Sequence, residues 1–88
     1  MTHSVSWTGP ARRDMARLPD RVATAVVVFV DERLAHAPLR LSKPLSGDLA
    51  DLRSARSGDY RVLFRLLEGL QVIEVVHVDH RAHAYRPG

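Results

Sequence analysis

The sequence predicts an α+β fold: two N-terminal helices, arranged as an αα-hairpin, packed on an antiparallel sheet of about four strands. Three observations predict it. Apolar residues recur at spacings of three and four as far as Leu34, and alternate from Tyr60 onward. The pairs Gly58-Asp59 and Glu68-Gly69 cut the second half into strand-length pieces joined by tight turns. The chain has 88 residues and is 45% apolar, which suits one domain, residues 1–88, with one modest core.

His3 to Trp7 alternates and reads as a short first strand with Val5 and Trp7 on one face. Thr8 is placed to cap a helix that has Pro10 near its first position and runs to about Leu18. Ala11, Met15 and Leu18 form its apolar stripe. Pro19 breaks it, and Asp20 is expected to cap a second helix reaching about His36. Val22, Ala25, Val26, Phe29, Val30 and Leu34 are its buried side. The run Val26-Val27-Val28 also suits a strand, but the length of the pattern favours a helix.

Ala37 to Asp48 contains Pro38, Pro44 and Gly47 and reads as a linker, pinned by Leu39, Leu41 and Leu45. Three strands follow: Leu49 to Ser57, Tyr60 to Leu66 and Leu70 to Val78. Asp79 to Gly88 reads as an edge strand or an irregular tail. With Gly58 and Asp59 as the turn, Ser57 faces Tyr60, Arg56 faces Arg61 and Ser54 faces Leu63. Tyr60, Val62, Phe64 and Leu66 then turn to the helices, with Arg61 and Arg65 on the other face.

Thirteen basic residues against ten acidic ones leave a net charge of +3, too mild for a polycationic tail. Twelve of the thirteen are arginine, a planar donor fork suited to phosphate and carboxylate, although Arg-rich codon usage gives the same bias. Without cysteine there is neither a disulfide framework nor a thiolate metal site. The start Met1-Thr2-His3-Ser4 lacks a basic region followed by an apolar run, and Ala25 to Val30 is too short to span a bilayer. A cytoplasmic protein with no membrane partner is expected.

Two like charges opposed across a hairpin, Arg56 and Arg61, destabilise it unless an anion or carboxylate lies near. Asp51, Asp59 or Asp79 are structural candidates; a bound phosphate is the functional one. His77, Asp79, His80 and His83 have enough donors for a metal, but His80 turns to the opposite strand face from His77 and Asp79, so no metal or other cofactor is expected. No nucleophile elbow, phosphate-cradling glycine loop or catalytic carboxylate pair is present.

RNA cleavage fits the residues better. A 2′-hydroxyl can attack the adjacent phosphate if one group takes its proton, another protonates the departing 5′-oxygen, and cations hold the transition state. Arg61 and Arg81 can supply that charge, each worth roughly 3 kcal/mol by analogy with an oxyanion donor. Arginine hardly deprotonates, so His80 or His83 is the candidate base. Tyr85 can stack on a nucleobase, assist proton transfer, or simply anchor the chain end. Arg53, Arg56, Arg65 and Arg86 are candidate RNA-phosphate contacts.

Ala11-Arg12-Arg13-Asp14 with Leu18-Pro19, Lys43-Pro44-Leu45, Arg56 to Phe64, and Val78-Asp79-His80-Arg81-Ala82-His83-Ala84-Tyr85-Arg86 occur in this order. Over about Val5 to Arg86 the chain thereby resembles the RelE/ParE toxins of bacterial toxin–antitoxin modules, the RelE branch more closely. The resemblance implies two helices on a twisted antiparallel sheet whose concave face is cationic. It also implies a metal-independent endoribonuclease that enters the ribosomal A site, cuts messenger RNA and arrests translation.

In that family pattern Arg61 matches the arginine that stabilises the scissile phosphate. Arg81 matches the one associated with phosphate binding and leaving-group protonation, and Tyr85 the C-terminal tyrosine that stacks on or activates the substrate. Arg56 matches the basic position before the turn. The RelE pattern carries two lysines on the preceding strand, one proposed as base; here Leu52-Arg53-Ser54-Ala55-Arg56 has none. The ParE branch, which poisons DNA gyrase without cutting RNA, and a noncatalytic nucleic-acid-binding module are the alternatives. The implied partners are ribosome, messenger and a cognate antitoxin, acidic or partly disordered, in a toxin–antitoxin heterotetramer.

Overall fold

In a computed structural model describing residues 2–80, the chain forms two helices packed on a mixed five-stranded sheet. Arg81, His83, Tyr85 and Arg86 lie outside the described residues. The first strand, β1 (Ser4–Trp7), leads into α1 (Gly9–Ala16), where Thr8 caps by accepting from the Ala11 amide. In α2 (Asp20–Phe29), Asp20 is the first helical residue and the capping position falls on Pro19, which has no side-chain oxygen to offer. The helix then widens into a π-helical turn, Val30–Leu34, closed by the Ala35 amide donating to the Val30 carbonyl. That widening turns Ala35 back under Val30, and Val30, Leu34 and Ala35 are all buried.

The valine run is helical, with Val26 inward and Val27 and Val28 exposed. Of the expected stripe, Val26, Val30 and Leu34 are buried, Val22 and Phe29 half-buried, and Ala25 exposed. The segment expected as a linker contains a strand, β2 (Ser42–Pro44), at the sheet edge. An edge strand tolerates proline because its outward N–H needs no partner. Leu41 packs against the core as expected, whereas Leu39 is exposed.

Next come β3 (Arg53–Ser57), β4 (Tyr60–Leu67) and β5 (Val72–His80), in the sheet order β1-β5-β4-β3-β2. The hairpin register is the expected one, with Arg56 opposite Arg61, and Gly58 takes the left-handed φ of 60° that its turn demands. The expected first strand, β1, pairs in parallel with β5 and makes the sheet mixed rather than antiparallel.

A bulge interrupts the pairing of β4 with β5: Leu63 faces His77 but Phe64 faces Val75, leaving Val76 extra. Because of it Ile73, Val75 and Val78 all point inward despite their uneven spacing. Ala11, Val26, Val30, Leu34, Val62 and Phe64 complete most of the core between helices and sheet. No helix is long and apolar enough to cross a membrane among the described residues.

Candidate functional site

The sheet face turned away from this core carries the candidate site. Cross-strand register places Lys43, Ser54, Leu63 and His77 in one row, and Arg56, Arg61 and Asp79 in the next. An open groove of about 610 Å³ lies over the β2–β3–β4 side. Arg40, Lys43, Arg56 and Arg61 line it together with Ser54 and Leu45, and no carboxylate is among its described lining residues. Arg56 is exposed and Arg61 half-buried. Asp79 stands opposite Arg61 on the side away from Arg56, and Arg61 is not without a partner. Four cations against one register-opposed carboxylate leave an excess of positive charge suited to a polyanion.

The fold does not bring every candidate arginine to this groove. Arg53 projects to the core side and knits β3 to β2, its Nε donating to Ser42 Oγ at 2.7 Å and its NH2 group to the Ser42 carbonyl at 3.2 Å. Ser42 in turn donates to the Pro38 carbonyl. Arg65 shares the outer face but donates to Asp51 at 2.9 Å and Glu74 at 3.3 Å. The hydrogen bond from Arg65 holds the Asp51 carboxyl below its usual range, and the same bond raises the guanidinium's pKa.

The histidines separate as strand alternation dictates. His80 opposes Tyr60 and meets it edge to face, ring centroids 5.3 Å apart, on the face opposite Arg61. His77 shares the outer face but is engaged by Asp14, 3.0 Å away. Among the described residues no three His, Cys, Asp or Glu side chains gather as a metal site. The candidate base His83 and the candidates Arg81, Tyr85 and Arg86 fall beyond residue 80.

Sequence reasoning missed Arg40 and Lys43. Both belong to the stretch dismissed as a linker because of its prolines. The register of β2 against β3, Lys43 opposite Ser54, is what carries the chain's one lysine to the groove.

A family model described as "ParE toxin of type II toxin-antitoxin system, parDE" matches residues 5–85. Two Mycobacterium tuberculosis H37Rv proteins are each 44% identical. Toxin RelE aligns over 96% of this chain and 87% of its own length, and Toxin RelG over 98% and 99%. Among solved structures, the RelBE2 toxin–antitoxin complex of Mycobacterium tuberculosis contains a chain that superposes with a TM-score of 0.89 at 42% identity, covering 92% of this chain and all of that one.

Proposed function

The chain belongs to the ParE toxin family of type II toxin–antitoxin systems, and from that premise we propose that it is a ribosome-dependent messenger endonuclease. The observation that carries this reading is the groove in which β2, β3 and β4 converge four cations without a lining carboxylate. The RelE and RelG names of its relatives support the RelE-type assignment.

In the proposed reaction the messenger's own 2′-oxygen forms a bond to the adjacent phosphorus while the bond from phosphorus to the 5′-oxygen breaks. The 2′-hydroxyl proton leaves to a base and another proton reaches the 5′-oxygen. Arg61 and Arg56 hold the phosphate as charge builds on its oxygens, and Arg40 and Lys43 hold its neighbours along the strand. Family matching gives Arg81 the leaving-group proton and Tyr85 the stacked base. With His80 packed on Tyr60, the proton-accepting role goes to His83 or Tyr85.

The proposed setting is the cytoplasm, with residues 1–88 as one toxin domain held inactive by an antitoxin. The RelBE2 relative, solved as a toxin–antitoxin complex, supports that partner. The ParE description of the family model favours a second reading, inhibition of DNA gyrase. One experiment separates the two: new messenger 5′ ends are mapped in a translating extract, with gyrase supercoiling run in parallel. Cuts that require ribosomes are expected; loss of supercoiling without any cuts would replace the leading reading with the second.

A further inference from the structure

One piece of chemistry lies outside the groove: the carboxylate of Asp14, projecting from α1 onto the last part of β5. Strand β1 covers the edge of β5 only over Val72 to Val75, because after Trp7 the chain turns into α1. From Val76 onward the edge has no neighbouring strand on that side among the described residues, and this is also where β5 carries its extra residue. A bulged, uncovered edge is where pairing slips most readily, and a slip of one residue would reverse every side chain after it.

Thr8, the cap of α1, and Asp14 in the second half of that helix meet this side of β5 instead. The Thr8 amide donates to the Val75 carbonyl at 3.0 Å and the Thr8 hydroxyl to the Val76 carbonyl at 3.3 Å. One oxygen of Asp14 then accepts from the Val78 amide at 3.0 Å and lies 3.0 Å from His77 Nδ1. The Asp14 side chain is only 22% exposed, so water competes weakly for that oxygen. The next residue after Val78 is Asp79, which stands opposite Arg61.

We infer that Asp14 is a positioning residue that clamps the end of β5 after its bulge and thereby sets Asp79 against Arg61 of the groove. The consequence for cleavage rests on the endonuclease reading; the clamp itself does not. Full-length Asp14→Ala and Asp14→Asn are compared with the parent by amide hydrogen exchange, by the Nε–Hε resonance of Arg61, and by cleavage kinetics. In Asp14→Ala, exchange at Val78 should accelerate about tenfold while Ala55 and Val62 in the hairpin keep their rates. The Arg61 resonance should move, and kcat should fall about tenfold with KM held within about twofold.

Asp14→Asn keeps an acceptor for the Val78 amide and should restore the exchange rate. Acceleration spread evenly over both regions, or an Arg61 resonance that stays in place in Asp14→Ala, would overturn the inference. A displaced Arg61 resonance in a protein whose parent form cuts no messenger would sustain the clamp and sink the endonuclease reading instead.

Discussion

Arg61 and Arg65 lie on the same strand, point to the same face, and are each opposed on β5 by a carboxylate, Asp79 and Glu74. They differ in what meets them from the other direction. Arg65 finds Asp51 at 2.9 Å, so one guanidinium is shared by two acids. Arg61 finds Arg56, with Lys43 and Arg40 further along the same groove. The first arrangement sets two carboxylates against one cation, whereas the second gathers four cations around a groove with no carboxylate among its described lining residues. Counting arginines therefore says little about where a polyanion binds; the supply of counter-charge says much more.

The largest expected effect comes from removing the two arginines that face each other in the groove. Arg56→Ala/Arg61→Ala should lower messenger cleavage by about a thousandfold or more, by the standard of lost oxyanion donors, and abolish growth arrest on induction. Full arrest by that variant would end the comparison. Ser54→Asp makes the groove resemble the Arg65 site by adding an acid between Lys43 and Leu63 in the cross-strand row. Binding of a short RNA should weaken about tenfold at low salt, and the difference should shrink as salt screens it. Lys43→Ala should reduce the slope of log affinity against log salt by about 0.7 if it holds one phosphate of a single strand.

The hairpin half of this comparison was legible in the sequence. A two-residue turn at Gly58-Asp59 dictates that Arg56 meets Arg61, and alternation then sends Val62 and Phe64 inward. The counter-charges were legible only as candidates: Asp79 and Asp51 were both named for the Arg56–Arg61 pair, and the fold sends Asp51 to Arg65 instead. Asp51 reaches Arg65 from outside the strands, and nothing in local spacing distinguishes Arg65 from Arg61. Lys43 was hidden because Pro38 and Pro44 argue against a strand, yet an edge position relieves that objection. The parallel pairing of β1 with β5 joins residues far apart in the chain and leaves no local signature. The bulge did leave one: Val75 and Val78 are three apart, and both can be buried in one strand only if a residue is extra.

The smallest effect lies at the balanced site. Asp51 is exposed, so its ion pair contributes little to stability. Its pKa is lowered in the folded protein, so its contribution is present above the ordinary value of 3.8 and is lost as pH falls below it through the folded value. Asp51→Asn should therefore flatten the acid limb of the stability curve slightly and leave stability near neutral pH almost unchanged. Thermal melts from pH 2 to pH 7 check this. A large loss at neutral pH would show that the Arg65 cluster holds the sheet together rather than merely being neutral.

The most direct test sets the two arginines side by side. Arg61→Ala and Arg65→Ala are assayed for messenger cleavage in the same ribosome-containing extract, each corrected for its folded fraction. The account predicts a loss of about a hundredfold for Arg61→Ala, the value of a phosphate-stabilising donor, and less than about threefold for Arg65→Ala. Equal losses, or a greater loss at Arg65, would contradict it.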